Sequence, residues 1–447
     1  MTSIHHVAHQ CSGWNYLKAL ECHKYLNESA KEEKYLKKKH STVSHLSSDE
    51  KRLKVLLFDN DDFSDYTSYF ARGLSKYADI TLYCFSQASP NVTGAAEQKG
   101  IKFVFIDKRL PRGYSSVRGI VRVFALFFIL FGALMRTKYD IVHIQDYLPT
   151  FFLFIPLLKL RNKRICWTLH DLDIFTLWNR LFATGMSGRL QILFRKIVTQ
   201  PTFTGKYADR VLVHALAHKR QLIAKKVDEK KIYVIRQFDY QYLLEFSKNN
   251  PGNFHFELEN NSILFFGNIA PWKGIDTLIK AATIVINKIG PNFNLVIAGK
   301  PYPGFEGMQF FEDIHKIDNK CIKFINRYIT SAEIPDLFGK SSFLVLPYDN
   351  HFQYSSSGVI PLSYTFAKPV IVSNVSSLVE YVEQGKTGLI FDVNDSKQLA
   401  HCMIDLIENN SKCLEMGQNA YQKMLKEMSL DVCCKMIYDI YNNIDYE

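Results

Sequence analysis

Short apolar runs recur along this chain of 447 residues, and each is followed by a longer segment of mixed polarity. Brief runs of this kind, bounded by polar residues, are typical of strands buried in a parallel sheet, and the segments between them fit covering helices. In the first half the pattern predicts strands at residues 53–58, 80–85, 140–145, 165–170, 208–214 and 231–236, with a helix at 66–77.

The same rhythm returns after a polar stretch that contains Asn249, Asn250, Pro251 and Gly252, which favours a linker and hence two α/β domains. The predicted strands are 263–266, 294–298, 322–325, 343–347 and 370–372, and the predicted helices are 275–289, 331–338, 359–366, 395–408, 412–428 and 431–441. We divide the chain into an N-terminal helical extension (1–51), a first Rossmann-like domain (52–245), a second Rossmann-like domain (255–428) and a C-terminal helix (429–447) that crosses back.

One segment, residues 119–135, is apolar nearly all round. It falls short of the roughly 18 apolar residues that suggest a membrane-spanning helix. Two interpretations stay open: a helix packed on the sheet, and a helix lying in a membrane interface with upstream arginines on lipid phosphates. The chain starts without the basic and apolar pattern of an export signal, and its nine cysteines form no C-x-x-C pair, so we predict a cytoplasmic protein.

The charge balance bears on the class of partner. A formal net charge of +11 suits nucleic acid, an anionic membrane or an anionic substrate. No zinc-finger, homeodomain or RNP-type pattern accompanies it, so we predict no nucleic-acid partner and favour a membrane surface with anionic lipid. The charge run at 31–39 fits either a membrane or partner contact or a solvated helix. The acidic residues within 59–62 fit either a metal site or a polar loop that caps the next helix.

Polar side chains stand at the ends of two neighbouring predicted strands. His143, Gln145 and Asp146 end one strand, and His170 and Asp171 end the other. The C-terminal ends of parallel strands face the ligand crevice, so these residues are candidates for a cleft. A lone histidine is usually structural, but with two such clusters in succession a structural and a functional role both stay open.

A second candidate is a turn of small residues, Ser, Ser, Ser and Gly at 355–358, which directly precedes the predicted helix 359–366. Pro361 fits the first turn of that helix. A small turn of this kind exposes backbone N–H groups at the positive end of the helix dipole, which suits a phosphate. We therefore predict a phosphate-binding turn around Gly358.

The second half resembles the C-terminal domain of GT-B glycosyltransferases in four motifs: FFGNIAPWKGIDTLIKAA, NLVIAGKP, INRYITSAEIPDLFGKSSFLVLPY and SGVIPLSYTFAKPVIVSNVSSLVEYVEQGKTGLIF. The resemblance covers residues 263–409. The group that this part of the chain resembles most is family 4, with its relatives in polysaccharide and lipid-linked sugar assembly. In the first half, DIVHIQD and CWTLHDLD look like the strands of the acceptor domain.

The resemblance implies two facing Rossmann-like domains, with a nucleotide-sugar donor held mainly by the second and an acceptor held by the first. It places donor contacts at Gly267, Asn268, Lys273, Gly299, Arg327, Tyr328, Ile329, Ser355, Ser357, Gly358, Val359, Ser363 and Glu380. His143, Gln145 and Asp171 fall on the acceptor side, and the candidates for catalysis are Lys273, His170 and Asp146. Lys273 would supply positive charge where the leaving diphosphate develops negative charge.

The chain departs from the family pattern at several of these places. Ser355 and Ser363 stand where the family often has two glutamates, so contacts there become neutral hydrogen bonds, weaker than charge-assisted ones. The basic residue that the family usually has near Asn268 is absent. The negative charge of the leaving group would then be stabilised by Lys273, alone or with Lys300. Gln145 falls where a histidine is often found at the donor-sugar edge.

We expect a hexosyl transfer from a UDP- or GDP-sugar to a lipid-linked or saccharide acceptor, with retention at the anomeric centre and a peripheral position on the membrane. No cofactor or divalent metal is expected, since lysine and helix N-termini hold the phosphates in this fold family. In an inverting relative, Asp146, Asp171 or His170 would be the base. Two other classes stay open: a GT-B epimerase or phosphorylase, and a non-catalytic subunit that binds the sugar nucleotide.

Overall fold

The computed structural model describes residues 52–58, 64–84, 100–105, 128, 131–132, 134–145, 155–170, 172, 207–249, 262–291, 293–302 and 321–442. The N-terminal extension 1–51 and the acidic residues of 59–62 lie outside this set, so the alternatives given for both stay open. Most of the apolar segment 119–135 lies outside it as well.

The first sheet consists of seven parallel strands. Their bounds are β1 Lys54–Phe58, β2 Asp79–Cys84, β3 Ile101–Phe105, β4 Ile141–Gln145, β5 Arg164–Leu169, β6 Arg210–Val213 and β7 Ile232–Val234. The spatial order is β3-β2-β1-β4-β5-β6-β7, and at the centre Val55 lies between Ile80 and Ile141. The order reverses direction between β1 and β4, which opens a crevice at the carboxyl ends of the strands.

The second sheet has six parallel strands and the same doubly wound plan. Its strands are β8 Ser262–Phe266, β9 Leu295–Ala298, β10 Ile322–Ile325, β11 Ser341–Leu346, β12 Val370–Ser373 and β13 Gly388–Phe391. They are ordered β10-β9-β8-β11-β12-β13. The last of these, β13, is not among the strands that the sequence pattern predicts. The structure corrects this: Gly388 pairs with Val370 in a regular parallel ladder.

The described helices are Ser64–Leu74, Ile155–Leu160, Leu216–Ala224, Gln241–Asn249, Ile275–Ile289, Ile334–Gly339, Val359–Thr365, Ser376–Val379, Ser396–Glu408, Asn410–Glu427 and Leu430–Tyr441. Short 3-10 turns cover Glu229–Lys231, Pro271–Lys273 and Asn350–Tyr354. Helix Ile275–Ile289 illustrates why they form where they do: Leu278, Ala281, Ala282 and Val285 repeat at helical spacing, and all four are fully buried. None of the helices in the described residues has the length and apolarity needed to cross a bilayer.

The last helix, Leu430–Tyr441, leaves the second half of the chain and packs on helix Ser64–Leu74 beside the first sheet. Gly73 makes room for it, since a Cβ there would lie 2.6 Å from Leu430 and 2.7 Å from the Cys434 sulfur. The chain therefore passes between its two halves twice, once before β8 and once before this helix.

A buried carboxylate joins the two passages. Asp239 accepts hydrogen bonds from the Tyr69 hydroxyl (2.8 Å), the Leu430 N–H (2.8 Å) and the Gln241 N–H (3.0 Å). Its own N–H donates to the Met428 carbonyl at 2.8 Å. Both passages are thus fastened at one residue.

The architecture confirms the predicted fold class: two Rossmann-like α/β domains and a C-terminal helix that crosses back. The domain boundaries at 245 and 255 remain predictions, because residues 250–261 lie outside the described set.

Candidate functional site

The carboxyl ends of the two sheets meet along one seam. Strands β4, β5 and β6 end on one side of it, and β8, β9 and β11 end on the other. The Ser356 N–H donates to the His170 carbonyl across the seam at 3.3 Å, and the Gln221 side chain donates to the Gln353 carbonyl at 3.2 Å. Strand-end residues of both halves therefore face a common space, where α/β sheets of this kind bind ligands.

On the second sheet, β8 leads into Gly267 and β9 leads into Gly299, and the two turns touch through their backbones. Gly267 has a φ of +120°, and a Cβ on Gly299 would lie 1.8 Å from the Gly267 carbonyl oxygen. A side chain at Gly299 would push the turns apart, and one at Gly267 would be strained by the positive φ. Asn268 follows as an exposed residue. The result is a floor of bare backbone that a ligand can approach closely.

Lys273 ends the short 3-10 turn that follows this floor. Its Nζ lies 3.8 Å from the ring centroid of Tyr348 and 4.3 Å from that of Phe352. The two rings are themselves packed edge to face at 4.5 Å. Cation–π attraction on two faces holds the ammonium at the seam in a defined position.

The predicted phosphate-binding turn is formed as expected in its backbone. Gly358 is the N-cap of helix Val359–Thr365, without a side-chain cap. The Ile360 N–H donates to the Ser357 carbonyl at 3.4 Å and Pro361 has no N–H, which leaves the Val359 N–H as the donor at the start of the helix. The hydroxyls of Ser356 and Ser357 are buried and make no hydrogen bond. The Tyr240 hydroxyl rests against Gly358, 2.7 Å from where a Cβ would stand. Two buried hydroxyls without a hydrogen bond, beside the start of a helix, suit an anionic group.

Of the two serines at the family's glutamate places, only one remains a candidate. Ser355 is half-buried in the seam, and its N–H donates to the Phe352 carbonyl at 3.0 Å. Ser363 is fully buried, and its hydroxyl donates to the Lys368 carbonyl at 2.9 Å. We therefore correct the role of Ser363, because a core hydroxyl that already has an acceptor is not available to a ribose.

The predicted nucleobase segment contains three residues with different surroundings. Arg327 forms a two-pronged ion pair with Glu333, at 3.1 and 2.6 Å, which lowers the pKa of Glu333 to about 2. Ile329 is buried, whereas Tyr328 is 64% exposed, with the Lys300 ammonium 5.9 Å from its ring centroid. Arg327 thus supports the loop, and Tyr328 is the member that presents an aromatic face.

Glu380 has a role other than the donor contact we predicted. Its carboxylate accepts hydrogen bonds from the N–H groups of Leu216 (2.6 Å) and Ala217 (2.7 Å), and it pairs with Arg236 at 3.3 Å. It therefore caps the first turn of helix Leu216–Ala224 from the opposite domain. We correct the prediction: this carboxylate clasps the two halves together.

We expect Glu380→Ala to lower the free energy of unfolding by about 2 kcal/mol, because two helix N–H groups and the half-buried Arg236 lose a charged acceptor. Urea unfolding measures this. Glu383→Ala is the matched control, since Glu383 pairs with Lys386 and Lys423 at the surface and should cost below about 1 kcal/mol. Two results would contradict this role of Glu380: equal losses of stability in the two variants, or loss of donor binding in Glu380→Ala at unchanged stability.

On the first sheet, His143 lies inside the core. Its ring nitrogens contact the Tyr441 hydroxyl and, at 2.7 Å, the Thr168 hydroxyl, and burial lowers its pKa to about 3. We correct its assignment to the acceptor side, because a neutral, fully hydrogen-bonded core histidine faces no ligand.

His170 and Gln145 do reach the seam. Nε2 of His170 lies 3.5 Å from the Gln145 side chain, and Nδ1 lies 2.9 Å from Nε2 of His214. Asp146 and Asp171 lie outside the described residues, so their predicted roles stay predictions. His214 escaped the sequence analysis although the same signal was present, a polar residue at the end of a predicted strand.

Among the residues described, no group of three or more His, Cys, Asp and Glu side chains is placed to hold a metal ion. The expectation that no metal is needed remains a prediction.

Two family models match the chain in succession. "Glycosyltransferase Family 4" matches residues 64–238, and "Glycosyl transferases group 1" matches residues 247–423. Together they take in most of the chain and both of its halves.

Curated relatives agree with these matches. An uncharacterized glycosyltransferase of Methanocaldococcus jannaschii is 28% identical over 44% of this chain and 50% of its own length. An uncharacterized 41.2 kDa protein in the cps region of Klebsiella pneumoniae is 21% identical over 68% of this chain and 81% of its own. The capsular polysaccharide biosynthesis glycosyltransferase CapM of Staphylococcus aureus is 24% identical over 42% and 48%. The chain thus spans about half the length of the archaeal and staphylococcal relatives.

Among solved structures, HepE of Anabaena in complex with UDP superposes with a TM-score of 0.60 at 16% identity, over 88% of this chain and 100% of that one. At this identity the similarity concerns the fold. The fold, the seam and the two consecutive family matches lead to one conclusion: the chain belongs to the GT-B glycosyltransferases of the family 4 type.

Proposed function

We propose that this protein transfers a hexosyl group from a nucleotide-sugar donor to a lipid-linked or saccharide acceptor in glycan or polysaccharide assembly. The observation that carries the proposal is the seam itself. A bare glycine floor, the Lys273 ammonium and the Gly358 turn lie at the carboxyl edge of one sheet, and His170 lies at the edge of the other.

These residues divide the chemistry between them. As the bond from sugar to diphosphate breaks, negative charge grows on the leaving oxygens, and positive groups fixed in advance stabilise that charge most effectively. The positions of Lys273 and of the N–H groups around Gly358 are fixed by packing within the protein. His170 would face the sugar from the acceptor half. Retention at the anomeric centre remains the expectation carried by the family resemblance.

UDP-sugars are the first donors to test, followed by GDP-sugars, because HepE has been crystallised with UDP and with UDP-glucose. We expect one class of nucleotide to raise the melting temperature in a thermal-shift panel, since a ligand that binds only the folded state stabilises it by mass action. With membrane-extracted acceptor, the same donor should yield free nucleoside diphosphate and a glycosylated product.

The other outcomes identify the other classes. A thermal shift without transfer to any acceptor would indicate a non-catalytic binding subunit, and isomerised or phosphorolysed sugar would indicate an epimerase or phosphorylase. Absence of any shift with all nucleotides would contradict the proposal.

We also propose that the protein works at an anionic membrane surface. Phe128, Phe131 and Met135 stand three and four residues apart in helical conformation and are 66%, 41% and 43% exposed, while Leu160 is 83% exposed. The Arg161 guanidinium donates to the Leu134 carbonyl at 3.3 Å, which places the residue after Leu160 beside the turn that carries Met135. Exposed cations surround them: Arg136, Lys138 and Arg161. Apolar side chains with a basic rim suit anionic lipid.

Vesicle sedimentation tests this surface. The protein should sediment with vesicles containing anionic lipid and less so with neutral ones, and Phe128→Ser with Leu160→Ser should weaken binding. Higher salt should reduce it, because the screening length falls below about 10 Å above 0.1 M. Unchanged sedimentation of the double variant would reject this surface.

A further inference from the structure

Three buried oxygen atoms at the Gly358 turn have no hydrogen bond. They are the amide oxygen of Gln237 and the hydroxyl oxygens of Ser356 and Ser357. Gln237 is only 7% exposed, and its amide oxygen lies 3.8 Å from where a Cβ on Gly358 would stand. A buried polar atom without a partner costs free energy, so three of them at one turn indicate a ligand that supplies the missing partners.

Gln237 follows strand β7 of the first sheet, but its backbone is fixed to the second half of the chain. Its N–H donates to the Tyr381 hydroxyl at 3.2 Å, and three residues later the Tyr240 N–H donates to the Thr365 hydroxyl at 3.1 Å. Thr365 is the last residue of the helix that begins directly after Gly358. The side chain of Gln237 therefore keeps its place beside the turn if the two halves separate.

The amide oxygen of Gln237 selects the kind of group that can partner it. An amide oxygen accepts hydrogen bonds and donates none, and the oxygens of a diphosphate likewise act as acceptors. A diphosphate at the turn would satisfy the two serine hydroxyls and the Val359 N–H, but it would leave the Gln237 oxygen without a donor. In a nucleotide-sugar, the donors next to the diphosphate are the hydroxyls of the sugar.

We infer that Gln237 is a specificity-determining residue, whose amide accepts a hydrogen bond from one hydroxyl of the donor sugar while the Gly358 turn holds the diphosphate. The inference rests on the proposed function, since it names the part of the donor that this turn recognises. A sugar that lacks the hydroxyl would leave the buried amide unpaired, which is how a polar pocket rejects an analogue.

The sugar reaches this amide when the seam opens. In the closed seam the His170 carbonyl accepts the Ser356 N–H at 3.3 Å and lies over the turn. Separation of the two halves breaks this contact and exposes the serine hydroxyls and the amide together. The free energy that the unpartnered atoms cost in the closed, ligand-free protein is recovered when a ligand pairs with them.

Gln237→Met tests the inference, because it replaces the amide with an apolar side chain of similar length. The melting temperature of the ligand-free variant should stay the same or rise, since a buried unpartnered oxygen is removed. Calorimetry should show unchanged affinity for the nucleoside diphosphate. The affinity for the UDP- or GDP-sugar that gives the largest thermal shift should fall about 3- to 10-fold, the scale of one neutral hydrogen bond.

Gln418→Met is the matched control, because Gln418 is exposed on helix Asn410–Glu427 and undergoes the same chemical change. All three quantities should stay at the wild-type values in this variant.

Mono-deoxy analogues of the same nucleotide-sugar identify the hydroxyl and need no variant to fold. The wild-type protein should bind at least one analogue several-fold more weakly than the intact donor. For one analogue, this loss should disappear in Gln237→Met, because the partner of the missing hydroxyl has been removed as well.

Three results would each overturn the role of Gln237. A lower melting temperature of ligand-free Gln237→Met would show that the amide serves the fold. An equal loss of affinity for the nucleoside diphosphate would make it a phosphate contact, and a change confined to the KM of the acceptor would move it to the acceptor.

The wild-type protein separates this inference from the proposed function. Absence of binding to every nucleotide-sugar would refute both. Binding without transfer would refute the proposed activity alone, and the affinities would still decide the role of Gln237.

Discussion

Replacing Lys273 with alanine is expected to lower turnover about 10²- to 10³-fold, the scale for removing one preorganised contact to developing charge. The ammonium lies against the rings of both Tyr348 and Phe352, so little reorganisation is needed when the diphosphate leaves. The loss should appear in kcat more than in donor affinity, because the charge on the leaving group is greatest in the transition state.

Lys280→Ala is the matched control for Lys273→Ala. Lys280 is exposed on the helix that begins two residues after Lys273, and its removal changes the net charge equally. Turnover of the control should stay close to that of the wild-type protein. Near-normal turnover of Lys273→Ala, at an unchanged melting temperature, would remove Lys273 from the proposed machinery.

The second large effect is a steep loss of stability in mild acid. Three buried histidines and the half-buried His170 have a lowered pKa: His143 to about 3, His170 and His218 to about 4, and His214 well below its usual range. Burial is the largest cause for each. A histidine that stays neutral in the folded state but gains a proton on unfolding costs stability as the pH falls below about 6.5, by about 1.4 kcal/mol per pH unit. The loss continues down to each folded-state pKa.

Urea unfolding at pH 7.5, 6.5 and 5.5 measures this dependence. The free energy of unfolding should be nearly constant above pH 7 and should fall by several kcal/mol by pH 5.5. His218→Gln should make the dependence of the unfolding free energy on pH shallower by about one proton, because it removes one of these titrating groups. Its other effects should be small, since neither ring nitrogen of His218 makes a hydrogen bond of normal geometry, although backbone groups of Ser355 and Gln353 lie near. A flat profile would show that these histidines are protonated in the folded protein.

The fold was predictable because its signals are local. The apolar run at Leu264 or Ile297 reads as a buried strand whatever lies around it, and the stripe on helix Ile275–Ile289 defines its own buried face. Because the strands of each sheet are parallel, their carboxyl ends lie at one edge of that sheet. His170 and the Gly267 turn could therefore both be assigned to the ligand-binding edge of their own sheet.

Two of the errors concern contacts between residues that are distant in the chain. His143 has the same strand-end signal as His170, but the final helix brings the Tyr441 hydroxyl, 298 positions away, onto its ring. Glu380 satisfies a motif of its own domain, yet its hydrogen bonds go to the N–H groups of Leu216 and Ala217 in the other. A single sequence does not show which side chains another element will cover.

The fastening at Asp239 has a mechanical consequence. Two chain passages lie side by side there, joined by the Asp239 N–H to the Met428 carbonyl and by the Asp239 carboxylate to the Leu430 N–H. A single linker would allow one half of the molecule to twist and slide against the other. Two chain passages side by side resist twisting, so rotation about the pair, as about a hinge, is the easiest movement. Any opening of the seam would therefore follow a single arc, and closing along it would bring the same strand ends face to face again.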